Sequence, residues 1–416
     1  MKYNTVKKVG DFMIVGIVGG GASGMAAAIT ASETRDNHVI LFERQARVGR
    51  KLSATGNGRC NLSNLHACEK GFHGEDLSFS ARALTEYSPE ETLSWFRSLG
   101  LFTVTEHSGK VYPYSDQANS VVDVLRFALN KPNIQLRTGF EVTKIKKTPG
   151  GFLIENGGVS VFCNALIVAA GGLAGTKLGG SMSGYKLLRS LGHHVTKLRP
   201  SLVQLKSSWR AVTSLKGVRA NCAARILHDG IEKNCSVGEI QFTEYGLSGP
   251  VIFEISRDVC QEKGDWVCVL DFLPDCTEHV LYEELKKRRS SDLGADDLLT
   301  GILHNRLGRV LVQSAGVSQS AEICQLTDEQ LRAVCRIVKC LEVTITEPLG
   351  MDSAQVTAGG ICTDEFDPKT LESRLVRGLY ACGEILDVDG DCGGYNLQWA
   401  WSSGRVAGFW AGRTKE

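Results

Sequence analysis

The spacing of apolar and polar residues changes character several times along this chain. Ile14-Val15-Gly16-Ile17-Val18 is a continuous apolar run rich in β-branched residues, the pattern of a short strand covered on both faces. An alanine-rich stretch predicts a helix next, and His38 to Phe42 predicts a second buried strand ending on Glu43. Residues 76–100 read as a surface helix pair, with Ser88-Pro89-Glu90-Glu91 as cap and first turn. Val111-Tyr112-Pro113 is extended, 120–129 is helical, and 134–147 is a strand pair that carries Val142 into a sheet. Phe152-Leu153-Ile154 and Val159-Ser160-Val161 form a hairpin. Ala165 to Ala169 is a further buried strand that stops on Ala170-Gly171-Gly172.

From Ser201 to about Leu273 the pattern is short β runs: Leu202–Leu205, Ala223–Leu227, Glu239–Phe242 and Trp266–Leu270. These predict a small barrel-like β layer. From His279 to Lys339 the period becomes helical, through VLYEELKKRR, then ADDLLTGILHNRLGRVLVQSAG as one stretch, then LTDEQLRAVCRIVKCL. Thr327 with Gln330 forms a good start for the last of these. Val356 returns to apolar strand. Leu379 to Cys382 is a strand running into Gly383-Glu384, and a terminal helix from Trp399 to Trp410 closes the chain.

The strongest chemistry lies between the first two strands. Gly19, Gly21 and Gly24 complete a G-x-G-x-x-G, with a strand before it and a helix after it. Glycines there allow a tight turn and close backbone approach to a pyrophosphate. The helix start at Ala22 and Ser23 offers N–H groups and partial positive charge to the phosphates. Glu43, about twenty residues on, is placed to accept hydrogen bonds from a ribose. A dinucleotide is therefore the expected ligand. Arg44, Arg50 and Lys51 follow, then a loop Gly56-Asn57-Gly58-Arg59-Cys60-Asn61. Cations suit phosphate, and glycines let a loop press against a flat ligand. A ligand with a second half to cradle, such as FAD, would use both; a solvated basic turn would look the same. Gly393-Gly394-Tyr395-Asn396-Leu397 opens the terminal helix, whose N-terminus could stabilise negative charge on a bound ring.

Composition narrows the class. A length of 416 residues allows two or three domains, and a net charge of +1 selects no polyanionic partner. The first twelve residues lack an apolar core and a cleavage site, so no secretory signal is expected. The apolar run at 13–29 is short and broken by glycines, which argues against a membrane span. Fourteen cysteines form no C-x-x-C pair, and Cys163, Cys268 and Cys335 sit in apolar runs. That predicts reduced thiols in a cytoplasmic protein, without a metal site.

GGGASGMAAA, GRKLSATGNGRCNLSN, FTEYGLSGP at 242–250, VTAGGI at 356–361 and GLYACGEILDVDGDCGGYNLQWAWSSG at 378–404 occur in this order. Together they resemble the BaiN/RdsA family of FAD-dependent oxidoreductases, which includes proteins labelled aminoacetone oxidase-like. The resemblance runs from Met13 to about Gly408. Two departures stand out: Glu244, where members often carry His, and Gly179–Tyr185, which resembles a family loop but lacks its Asp.

The resemblance implies an α/β fold. Its Rossmann-like FAD-binding domain comes in two sequence segments, 13–193 and 352–416. An inserted substrate domain spans 194–351, β-barrel-like over 194–273 and helical over 274–340. It implies FAD as cofactor and NAD(P)H as electron donor. Expected cofactor-facing positions are Gly19, Gly21, Ala22, Ser23, Gly24, Glu43, Arg44, Arg50, Lys51, Gly58, Arg59, Cys60 and Val142, with Ala170, Gly171 and Gly172. The C-terminal segment adds Gly359, Gly360, Gly383, Glu384, Gly394, Tyr395, Asn396 and Leu397.

Members of the family are assigned to bile-acid-type enones and to uridine of 23S ribosomal RNA. Both acceptors are C=C bonds conjugated to a carbonyl. The preferred reading is NAD(P)H-dependent reduction of ribosomal uridine to dihydrouridine. A bile-acid-type enone reductase, a small-amine oxidase using oxygen, and a flavin-bearing RNA-binding module stay open. Lys286-Lys287-Arg288-Arg289, Arg306 and Arg309 form a basic face that could meet RNA phosphate or simply be solvated. Reduction also needs a proton donor. Cys60, beside Arg59 in a glycine loop, is the first candidate if its thiol is tuned toward neutral pH, and Tyr395 is the second. A buried thiol that merely packs the loop is the competing reading of Cys60.

Overall fold

The computed structural model describes residues 13–34, 37–68, 70–318 and 320–413, so the first twelve residues, read above for a leader, lie outside it. The chain up to Arg199 joins the chain from Val356 onward in one compact unit, and Pro200–Gln355 forms a second.

The first unit is built on a five-stranded parallel sheet. Its order is Leu379–Ala381, Ala165–Val168, Ile14–Val18, His38–Glu43, Ile134–Thr138. Ile14–Val18 is central and covered on both faces, which is why it reads as a continuous apolar run. The strand at Ile134–Thr138 is an edge and largely exposed. The expected hairpin is part of a three-stranded antiparallel sheet, Lys144–Thr148, Gly151–Asn156 and Val159–Cys163. Val142 does not enter a sheet. The N–H groups of Gly139 and Phe140 donate to the carbonyls of Gln45 and Glu43, turning the chain so that Val142 lies buried in the connection.

Two helices in this unit run parallel with almost no space between them. Ala22–Ala31 follows the glycine loop, and Tyr395–Ala411 begins four residues earlier than the sequence pattern suggested. A Cβ added at Gly404 would overlap the carbonyl oxygen of Ser23, and one at Gly408 would overlap that of Ala27. Contacts four residues apart on one helix thus match contacts four apart on the other, which only parallel axes allow. From this register, the start of the C-terminal helix lies about 12 Å beyond the start of the first, at 1.5 Å per residue. Gln398, fully buried, fixes the C-terminal helix to the chain around it. Its Oε1 accepts from Ser63 Oγ at 2.7 Å, and its Nε2 donates to the Tyr87 carbonyl at 3.0 Å and Thr92 Oγ1 at 2.9 Å.

The second unit contains a closed six-stranded barrel. Around it run Leu205–Ser207, Gly246–Ser248, Ile231–Phe242, Arg219–His228, Trp266–Asp271 and Leu341–Pro348. Two features depart from the sequence pattern. A helix, Pro250–Gln261, interrupts the β-rich stretch. The strand that closes the barrel, Leu341–Pro348, lies beyond the helical stretch, with Leu341, Val343 and Ile345 turned inward.

The helical part comprises Glu278–Lys287, Asn305–Ser314 and Asp328–Lys339, the last with the expected Thr327–Gln330 capping box. The single helix expected from Ala295 does not form. Gly301 sits at φ +81°, and His304 Nδ1 accepts from Arg306 N, so the helix starts only at Asn305.

The basic run is exposed at Lys286 and Lys287 and partly engaged within the unit. Arg288 donates to the carbonyls of Leu298 and Thr300, and Arg289 pairs with Asp328 at 2.6 Å. Lys287 pairs with Glu284, Arg309 with Asp297, and Arg306 donates to the carbonyls of Ser214 and Lys216. Arg288 and Arg306 thereby tie helix ends to loops within the unit, whereas the Lys287 pair lies within one helix. Among the described residues no helix is long and apolar enough to cross a membrane, and no group of three His, Cys, Asp or Glu could hold a metal. Among the described residues none of the fourteen cysteines forms a disulfide.

Gly408→Val should force the two parallel helices apart and destabilise the first unit by about 1–3 kcal/mol. Urea unfolding followed by fluorescence would report it, because Trp399, Trp401 and Trp410 all lie on the C-terminal helix.

Candidate cofactor site

The glycine loop has the shape its motif requires. Gly19 lies at φ +109°, and an added Cβ would overlap the Ala169 carbonyl. A Cβ at Gly24 would overlap the Gly19 carbonyl, so the helix folds back tightly on its own entry. Gly21 is different: nothing lies within 4 Å of where its Cβ would be. It is the N-cap of Ala22–Ala31, no side chain caps it, and no acid stands in the first turn. The helix therefore presents uncompensated N–H groups to open space.

Glu43 sits beside this opening. Its Oε2 accepts from Gly20 N and its Oε1 from Gln45 N, both at 2.7 Å. The carboxylate is held rigidly and keeps lone pairs for further donors.

A second carboxylate organises the strand ends. Glu384, in the turn Gly383–Ile385, accepts from Thr357 N at 2.9 Å through Oε1 and pairs with Lys51 Nζ at 2.8 Å through Oε2. Thr357 Oγ1 in turn accepts from Leu173 N and Ala174 N, each at 2.9 Å. A Cβ at Gly172 would overlap Glu384 Oε1, so this stop is glycine because the carboxylate occupies the space. Gly383 lies against Ser23 at the start of the first helix. Gly359 and Gly360 pack against the backbone of Lys197 and of Leu386–Asp387, while Gly171 and Gly58 face open space.

Several cations expected at phosphate have other partners. Lys51 is paired with Glu384. Arg44 donates to the Gly179 carbonyl, and Arg50 donates to Gln45 Oε1 and the Lys177 carbonyl, each at 2.9 Å. The two arginines fasten the loop before Gly179–Tyr185. Arg59 lies 4.1 Å over the Tyr112 ring and pairs with Asp116 at 2.5 Å and Glu106 at 3.5 Å.

Burial works against the tuned thiol expected at Cys60. The residue is 0% exposed, and burial pushes the thiol up to about 12, away from neutral pH. The neighbouring arginine does not offset this, because its guanidinium is engaged outward on Asp116.

The far end of the site is the entry to Tyr395–Ala411. Gly394 stands at φ +106°, and a Cβ there would overlap the Ser63 carbonyl and lie 3.0 Å from Asn61 Oδ1. No side chain caps this helix and no acid stands in its first turn. The Asn61 side-chain oxygen is buried and has no hydrogen-bond partner among the described residues. Asn396 closes the preceding loop, accepting from Gly390 N at 2.9 Å and donating to the Gly390 carbonyl at 2.7 Å. The Tyr395 ring packs edge-on to Phe72, and Leu397 packs against the core. Thr357 and the specific role of Asn61 were missed in the sequence. Asn61 was signalled by its glycine loop; Thr357 had no signal of its own.

Two uncapped helix starts thus face the same way, offset along parallel axes, one beside a fixed carboxylate and the other beside an orphaned amide oxygen. Residues 13–410 match the family described as HI0933-like protein Rossmann domain. The chain belongs to this family. It is 39% identical over 404 residues to a 3-dehydro-bile acid delta(4,6)-reductase of Clostridium scindens, covering 95% of this chain and 98% of that protein. It is 29% identical over 387 residues to a ribosomal RNA dihydrouridine synthase of Escherichia coli, covering 93% and 95%.

Among solved structures, the fold resembles a 3-ketosteroid delta1-dehydrogenase from Sterolibacterium denitrificans, with TM-score 0.52 at 11% identity over 96% of this chain and 99% of that one. A 3-ketosteroid-delta4-(5alpha)-dehydrogenase from Rhodococcus jostii RHA1 gives 0.50 at 13% identity over 99% of both chains. The protein is an FAD-dependent oxidoreductase of Rossmann-type fold with an added six-stranded barrel. The uncapped helix starts and the orphaned Asn61 oxygen fit an elongated dinucleotide with an anionic centre.

Glu43→Ala should weaken FAD retention by about 1–3 kcal/mol, the scale of a charged hydrogen-bond acceptor, read by cofactor content after dilution and gel filtration. The burial of Cys60 makes a separate prediction. A group pushed up to about 12 stays a protonated thiol as pH rises from 7 to 10. Alkylation of the folded protein across that range should label exposed Cys68, Cys235 and Cys340 and leave Cys60 unmodified by mass spectrometry.

Proposed function

We propose that this enzyme reduces a carbonyl-conjugated C=C bond, with NAD(P)H as the electron donor. The observation that carries the reading is the pair of parallel, uncapped helix starts, with Glu43 at one and the unpartnered Asn61 oxygen at the other. Glu43 accepts from the adenosine ribose, and the N-terminal amides of Ala22–Ala31 receive the pyrophosphate. Asn61 and the start of Tyr395–Ala411 hold the polar edge of the flavin ring, where the helix dipole stabilises negative charge. Lys51 and Glu384 fix the strand end between them. When bound, FAD supplies hydride transfer between a donor and an acceptor.

The acceptor we favour is uridine in 23S ribosomal RNA, giving dihydrouridine. Support comes from relatives named ribosomal RNA dihydrouridine synthase in Escherichia coli and Haemophilus influenzae, each matched over 93% of this chain. A second reading, reduction of a bile-acid-type enone, is favoured by the 39% identity to the Clostridium scindens reductase. Both are the same reaction on different carriers: hydride to the β carbon and a proton to the α carbon.

Cells lacking the protein should lose dihydrouridine from 23S RNA, measured by nucleoside mass spectrometry. Anaerobically reduced enzyme should be reoxidised by a uridine-bearing 23S fragment. Reoxidation by a 3-oxo-4,6-diene steroid alone, with dihydrouridine unchanged in the cells, would select the second reading. Reoxidation by neither acceptor would end both.

A further inference from the structure

Reduction of a conjugated alkene requires a proton at the α carbon, and the burial of Cys60 leaves that role open. The groups gathered at the start of Tyr395–Ala411 include a histidine and a carboxylate that nothing above has used. His73 Nε2 lies 2.7 Å from Asp391 Oδ1. The pair is far apart in the sequence and is assembled by a two-stranded antiparallel bridge in which His73 faces Asp389 and Phe72 faces Gly390. Asp391 is held on both sides: its N–H donates to the Gly71 carbonyl at 2.9 Å, and its carbonyl accepts from Asn396 Nδ2 at 3.3 Å.

The dyad stands next to the helix entry. A Cβ placed on Gly71 would lie 2.7 Å from Tyr395 Cε1 and 2.8 Å from Asp391 Oδ2, so both groups crowd the same point. Neither member is sealed off, for the side chains are 32% and 37% exposed. The His73 Nδ1 has no protein partner among the described residues.

We infer that His73 is the catalytic proton donor of the reduction and Asp391 its positioning residue. The inference rests on the reading that the acceptor is a conjugated alkene. In the step, the β carbon gains a hydride whose two electrons come from the nicotinamide donor, which is oxidised. The π electrons move to the α carbon, which takes a proton from the His73 imidazolium. The N–H bond breaks as the C–H bond forms, leaving neutral imidazole, and solvent returns the proton. Asp391 accepts from Nε2–H and orients the ring with Nδ1 outward. Gly71 is required because any side chain there would push the carboxylate and Tyr395 apart.

The kinetic tests use the FAD-loaded full-length protein. His73→Gln should slow alkene-dependent reoxidation by roughly 10²–10⁴-fold. Added imidazole should restore part of the rate in His73→Ala. Asp391→Asn should slow reoxidation less, and in ¹⁵N-histidine spectra, recorded without FAD or acceptor, it should remove the hydrogen-bonded Nε2 proton signal of His73. Tyr395→Phe, which removes the competing donor at the same helix entry, is compared with His73→Gln under the same conditions.

His73→Gln reacting within twofold of wild type, or a loss of reoxidation carried by Tyr395→Phe instead, would overturn the assignment while leaving the alkene reading intact. Wild-type enzyme that reacts with neither acceptor would overturn the alkene reading and this inference with it. If His73→Gln loses FAD, Asp391→Asn and the imidazole rescue decide: an unaltered histidine signal or no rescue makes the pair structural.

Discussion

Everything at the site depends on how closely the first and last helices approach. Gly404 and Gly408 leave no side chain between the Tyr395–Ala411 helix and the backbone of Ala22–Ala31. That contact sets their axial register. The register in turn fixes where each helix start lies, and both starts are bare of caps. Side chains at the seam would widen the gap and move one start against the other. Gln398 and the Trp401 Nε1 bond to the Leu62 carbonyl at 2.9 Å then hold the loop carrying Asn61 against the same helix. The two helix starts are therefore parts of one close-packed seam.

Backbone adds fixed partial positive charge at the two bare helix starts. Of the cations clustered after the second strand, Lys51 is neutralised by Glu384 and Arg59 by Asp116 and Glu106. Arg44 and Arg50 are directed at carbonyl oxygens of the 177–179 segment. Their work is to hold loops in place. Helix starts can take over the electrostatic role because their N–H groups are fixed in direction and carry partial charge without a counter-ion. A net charge of +1 is consistent with this arrangement, since a site built this way needs no excess of basic residues.

In the second unit, the same economy of charge applies to the insert. Arg288 and Arg306 satisfy carbonyl oxygens at loop ends, and Arg289 closes an ion pair to the first turn of the Asp328–Lys339 helix. The core of the unit is mainly apolar, with Phe242, Leu247, Cys268, Leu270 and Val343 in the barrel region and Leu285, Leu311 and Val334 from the helices. Burial drives Cys268 and Cys222 upward in pKa, which suits thiols used as small apolar side chains.

Local sequence was enough to settle the elements whose pattern is itself the constraint. The central strand reads as buried because both its faces are covered. The glycine loop reads as a dinucleotide loop because only glycine fits where Gly19 and Gly24 touch backbone, and the Thr327 capping box is written in two residues. What depends on distant partners was not legible. Val142 was drawn out of its strand by bonds to Gln45 and Glu43, and the expected helix at Ala295 gave way to a turn at Gly301. The alternation in Leu341–Pro348 was present in the sequence, but only its pairing with Leu205–Ser207 shows that it closes a barrel. The fate of a charge or a thiol was least legible of all. Whether Arg59 meets phosphate or Asp116, whether Cys60 is exposed, and whether His73 finds Asp391 are decided by which segments tertiary packing brings together, because burial and pairing energies belong to the neighbourhood and not to the residue.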